Sequence, residues 1–206
     1  MFGVGTIVAP TGAGKTTIAA EIIHRAVERG NRVLFIAHRK ELIDQARARV
    51  LEITGEIVGV ERGEWRSGTE RIVDLNAPCY LGKYDLVLDP GTIEHCFNIG
   101  QAIINAANAV AEGGVIFHTP PMSMINHGFY NLNPTLLHDF YTQNGWHVEF
   151  MAGVQENSFF SLPAAQRIAV PPECSIYFVA RRMNSNQLIY PTQAKYLANP
   201  NLGALH

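Results

Sequence analysis

A chain of 206 residues with 47% hydrophobic content is long enough for one three-layer domain with a real core, and too short for two full enzyme domains. Its formal net charge of -2 gives no global basic field that would advertise nucleic acid, and it holds no apolar run of the roughly eighteen residues that a membrane span needs. Three widely spaced cysteines, Cys79, Cys96 and Cys174, with no C-x-x-C pair, indicate neither a disulfide framework nor a zinc site.

Charge is unevenly distributed. Residues 1–66 carry ten Lys+Arg and eight Asp+Glu, a balance of +2, whereas residues 67–206 carry six and ten, a balance of -4. Two stretches of different origin or exposure are implied, with a seam in the polar, Gly-broken stretch 64–69. Met1 leads into an apolar stretch without a basic start or a cleavage site, so no signal peptide is expected and the expected compartment is cytoplasmic.

Val4 to Ala9 reads as a short strand, followed by Pro10-Thr11-Gly12-Ala13-Gly14-Lys15-Thr16-Thr17 and then by Ile18, Ile22, Ile23 and Ala26 at helical spacing. Strand, glycine loop and helix is the context in which consecutive main-chain N–H groups turn inward around a phosphate, aided by the helix N-terminus. Residues 11–17 are therefore the candidate nucleotide-binding set, with Lys15 toward the β- and γ-phosphates and the Thr16 hydroxyl on Mg²⁺. The helix ends at Arg29-Gly30-Asn31, Arg32 to Ala37 forms the next strand, and a second helix runs from His38 to about Ile53.

A-P-T-G-A-G-K-T resembles motif I of superfamily 2 helicases and restriction-type translocases, and F-I-A-H-R-K-E-L-I-D-Q resembles their motif Ia, over residues 3–64. The resemblance implies binding of Mg-ATP by the loop and contact of His38, Arg39 and Lys40 with a nucleic-acid backbone, DNA being the expected partner. It departs from the family in lacking a D-E-x-H motif. Asp89 is the geometrical stand-in, with Pro90 where the catalytic glutamate would be, so nucleotide hydrolysis is expected to be weak.

Arg71 to Leu75 reads as a strand, and Tyr84 to Leu88 as a central parallel strand closed by Asp89, Pro90 and Gly91. A helix follows from Ile99 to Val110, ended by Glu112-Gly113-Gly114, then a strand Val115 to His118. A long loop leads to a helix from Pro134 to Gln143 and to two late strands, Trp146 to Met151 and Ser175 to Arg182. The expected fold is α/β, a three-layer sandwich with a mainly parallel, doubly wound sheet and a C-terminal antiparallel hairpin. Residues 1–66 form its P-loop unit and 67–206 the remainder, packed as one domain.

Y-D-L-V-L-D-P-G-T-I-E-H-C-F-N, A-E-G-G-V-I-F-H and N-H-G-F-Y-N-L-N-P-T-L-L-H-D-F-Y resemble the C-terminal half of a class I S-adenosylmethionine-dependent methyltransferase, over residues 72–196. This resemblance implies a methyl donor beside residues 89–94, a small-molecule methyl acceptor, and catalytic candidates Asp89, Glu94, His95 and His127, the two histidines as candidate bases. The G-x-G-x-G loop and the acidic ribose contact of that family are absent, and Ala37-His38-Arg39 is basic where a carboxylate would stand. Three readings stand side by side: a helicase-like nucleotide binder, a methyltransferase, and a non-catalytic fusion or truncation product.

Overall fold

The computed structural model describes residues 14–38, 40–54, 73–156, 158–164 and 166–197. The expected first strand, residues 4–9, lies outside them. Within them helix α1 spans Gly14–Glu28, strand β1 Val33–Phe35 and helix α2 Lys40–Thr54. Strand β2 is Tyr84–Asp89, followed by a single 3-10 turn at Ile93–His95 and by helix α3, Ile99–Asn108. Strand β3 covers Val110–His118, helix α4 Pro134–Gln143 and strand β4 His147–Gln155. Strands β5, Ser158–Ser161, and β6, Ser175–Arg181, and a short helix α5, Ala194–Leu197, complete the chain.

The strands form one mixed sheet in the order β1-β2-β3-β6-β4-β5. β1, β2 and β3 are parallel, whereas β6 is antiparallel to both β3 and β4. Period-two alternation along β2 sorts its side chains between two cores. Leu88 packs with Ala20 and Ile23 of α1 and Val50 of α2 on one face, while Val87 packs with Ala102, Ile103 and Ala106 of α3 and Leu137 and Phe140 of α4 on the other. That is the three-layer α/β arrangement, with each fully buried aliphatic side chain stabilising it by about 1.5–3 kcal/mol. Among the described residues no helix is long and apolar enough to cross a membrane.

Local signals account for most element ends. Gly30 has φ +76, and the amide of Asn31 donates to Ala26 O at 3.0 Å, closing α1 in a left-handed cap. Asn133 caps α4, its side chain accepting from the Thr135 amide at 3.0 Å with Pro134 in the first turn.

Two expectations are corrected. The described part of the strand expected at 71–75 is not a strand: Asp74 accepts from the Asn76 amide at 2.9 Å, an Asx turn that bends the chain away from any ladder. Glu112-Gly113-Gly114 does not end a helix but lies inside β3, where pairing shifts from Tyr84 with Val110 to Leu86 with Val115 and the intervening residues bulge. A Cβ on Gly114 would sit 2.9 Å from the carbonyl oxygens of Ala111 and Asp85, so the bulge closes only on glycine. The late antiparallel pair is present as β4 with β6, and β5 extends the sheet beyond β4 before the chain returns as β6 between β3 and β4.

Candidate functional site

Beyond the β1–β2 pairing, the segments that leave the two strands are also joined at the carboxyl end of β2. The Ile36 amide donates to Leu88 O at 2.8 Å and the Thr92 hydroxyl donates to Ile36 O at 3.2 Å, so the segment leaving β1 is fastened to the turn leaving β2. Gly91 makes that turn with φ +97, a left-handed conformation natural to glycine. The 3-10 turn then buries Ile93 and Glu94 completely.

From the other side, the loop after β3 folds back over this turn. The amides of Phe129 and Tyr130 donate to Glu94 O at 3.0 and 3.3 Å, and the Tyr130 hydroxyl donates to Phe97 O at 2.8 Å. Gly128 permits the approach: a Cβ there would lie 2.9 Å from Glu94 O and 3.2 Å from His95 Nδ1. His127 is thereby brought to Glu94, with Nε2 3.7 Å from Oε1, while His95 Nε2 lies 3.8 Å from the same oxygen. The His38 ring, carried by the segment after β1, stacks on His95 with centroids 3.9 Å apart. Exposed Phe97 and Phe129 pack edge to face beside the group. Glu94, His95 and His127 are the described side chains that could together hold a cation, their ligand atoms all within 4.8 Å of one another.

Asp89 belongs to a second, wholly internal group. Its Oδ1 accepts from the Thr92 amide at 2.9 Å and its Oδ2 lies 2.6 Å from His118 Nδ1, while His118 Nε2 lies 2.7 Å from the Tyr141 hydroxyl. With the carboxylate accepting, Nδ1 carries a proton, and Nε2 of a neutral ring accepts from the phenol. Asp89, His118 and Tyr141 are all fully buried. Burial first, and the Asp89 charge second, hold the Tyr141 phenol well above its ordinary pKa.

Of the residues singled out in the sequence, Glu94, His95 and His127 therefore converge, His38 joins them through its ring, and Asp89 is turned inward, away from them. Thr11, Gly12, Ala13 and Arg39 lie outside the described residues. Gly14, Lys15, Thr16 and Thr17 form the first turn of α1, and Lys40 opens α2. His118 and Tyr141 were not singled out, although one signal was available: in parallel strands Asp89 and His118 fall at the same carboxyl edge, and they are register partners.

The family model for "Type III restriction enzyme, res subunit" matches residues 3–106. A phage protein, the "51.5 kDa protein" of Lactococcus phage (isolate 7-9), is 56% identical over 39 residues, which are 19% of this chain and 9% of that protein. Among solved structures, the chain is similar to the one described as "Crystal Structure of TehB from Haemophilus influenzae", with a TM-score of 0.47 and 12% identity, over 79% of this chain and 61% of that chain. The chain thus spans less than two thirds of either relative.

Proposed function

Because the chain belongs to the family of the type III restriction enzyme res subunit, matched over residues 3–106, we propose that it binds a nucleoside triphosphate with Mg²⁺ through residues 11–17. The observation that carries this reading is the start of α1 at Gly14. The first-turn amides of a helix have no partners within the helix and offer themselves, with the positive dipole end, to an anion. The first turn of α1 also holds no acidic residue to repel a phosphate. Lys15 would neutralise the terminal phosphates and the Thr16 hydroxyl would hold Mg²⁺, which supplies charge neutralisation when bound.

Turnover is expected to be slow. The carboxylate nearest to a Walker B position is Asp89, and both of its oxygens are engaged inside the protein, by the Thr92 amide and by His118. His38, Arg39 and Lys40 are the proposed contacts to a DNA backbone.

The test is thermal unfolding of the purified chain with and without Mg-ATP, repeated on Lys15→Ala. Ligand at about 100 times its dissociation constant adds roughly 2.7 kcal/mol. An unchanged midpoint, or an equal shift in the Lys15→Ala protein, would sink the reading.

A second reading is favoured by one observation: Glu94, His95 and His127 gather at the carboxyl end of β2, the edge at which open α/β sheets take ligands. Methyl transfer from S-adenosylmethionine to a small molecule would use His127 or His95 as base. Stabilisation by S-adenosylmethionine, and not by Mg-ATP, would favour it in the same experiment.

A further inference from the structure

We propose that Glu94, His95 and His127 form a binding site for a divalent first-row transition-metal ion, with Zn²⁺ as its simplest occupant. The proposal does not depend on the nucleotide reading.

Spacing carries the argument. Both imidazoles approach the Glu94 carboxylate, at 3.7 Å from His127 and 3.8 Å from His95. Those separations are too long for direct hydrogen bonds. Ligand atoms bonded at about 2.1 Å around a tetrahedral ion lie about 3.4 Å from one another, so both pairs are within a few tenths of an ångström of ligating distance. The full set lies within 4.8 Å.

Donor chemistry selects the metal. Two imidazoles and one carboxylate suit zinc, iron, cobalt or nickel, whereas Mg²⁺ demands oxygen ligands. Exposure is graded across the site: the Glu94 side chain is 0% exposed, that of His95 22% and that of His127 45%. The inner ligand is thus fixed while the outer one faces solvent, leaving a coordination position for water or a substrate, as in three-ligand catalytic sites.

The surroundings are built to hold the ligands in place. His95 is backed by the His38 ring, and the His127 loop is fastened to the main chain of Glu94 itself. At Gly91 a Cβ would lie 3.0 Å from Glu94 Oε1, on the ligating oxygen, so a side chain there would crowd the ion.

The test is titration of the full chain, first stripped with a chelator, with Co²⁺ and Zn²⁺, followed by calorimetry and by cobalt d–d absorption. The expected result is one ion per chain with nitrogen and oxygen coordination. His127→Ala, on a half-exposed loop, should keep the fold by circular dichroism and lose at least tenfold in affinity, and Glu94→Gln should lose as much. His147→Ala, on exposed β4, should bind as the wild type does. Absence of stoichiometric binding, equal affinity in His127→Ala, or a thiolate-to-cobalt charge-transfer band would each overturn the site. Should Glu94→Gln fail to fold, His127→Ala alone decides.

Discussion

His118 Nδ1 lies 2.6 Å from the Asp89 carboxylate, and neither side chain reaches solvent. These residues end neighbouring parallel strands, and the pair is extended by the Tyr141 hydroxyl from α4. The trio therefore bolts the carboxyl edge of the sheet to a helix. Removing one member leaves buried polar groups without partners. Asp89→Ala is expected to cost about 3–5 kcal/mol and Tyr141→Phe about 1–3 kcal/mol. Urea unfolding curves check both, and wild-type stability in the Asp89→Ala protein would contradict the network.

The same phenol sets an alkaline limit. Tyr141 ordinarily ionises near 10.0, and burial raises it well above that in the folded protein. Above that pH the unfolded chain loses a proton that the native state retains, so stability falls as pH rises through the unfolded value, by at most about 1.4 kcal/mol per pH unit. Half-buried Tyr177, also raised by burial, adds a decline of the same sign. Comparing urea midpoints at about pH 9 and about pH 11, Tyr141→Phe should show a shallower fall than the wild type. Parallel declines would show that the phenol ionises no differently in the folded state.

Gly128 is the tightest point of the candidate site. Gly128→Ala places a methyl against Glu94 O and His95, and the loop carrying His127 must shift. Overpacking of this kind is expected to cost about 1–3 kcal/mol. Calorimetric titration with Co²⁺ should show weaker binding in this variant, and unchanged stability and affinity would contradict the close approach of Gly128 to Glu94.

Arg182 is buried behind the sheet and donates to the carbonyls of Ala107, Val110 and Asn184, at 3.3, 2.9 and 2.8 Å, with its guanidinium over the Trp146 ring. A lysine offers one ammonium where a planar fork serves several carbonyls. Arg182→Lys is therefore expected to lose at least about 2 kcal/mol despite keeping its charge. Thermal denaturation measures it, and an unshifted midpoint would refute the role.

What the sequence made legible is what depends on neighbours along the chain. Pro134 after Asn133 set the start of α4, and the apolar run 84–88 set β2, because caps and periodicity are local chemistry. The A-E-G-G stretch misled for the same reason: glycine pairs end helices and also make bulges, and only the neighbouring strand decides which. β5 left little trace, since four residues are too few to show a period. At the site, Glu94, His95 and His127 stood out as residue types, but their convergence depends on a loop far along the chain folding back so that Phe129 and Tyr130 reach the main chain of Glu94. The inward turn of Asp89 depends likewise on His118 across the ladder.

The attachment of that loop has a consequence for how the site can change. Phe129 and Tyr130 grip the carbonyl of Glu94, an atom every amino acid supplies, and leave its side chain to chemistry. Frame and function at this position are thereby written in different parts of one residue. Selection or design can replace the carboxylate with another group while the loop keeps its anchor, so the same scaffold is open to being repurposed one substitution at a time.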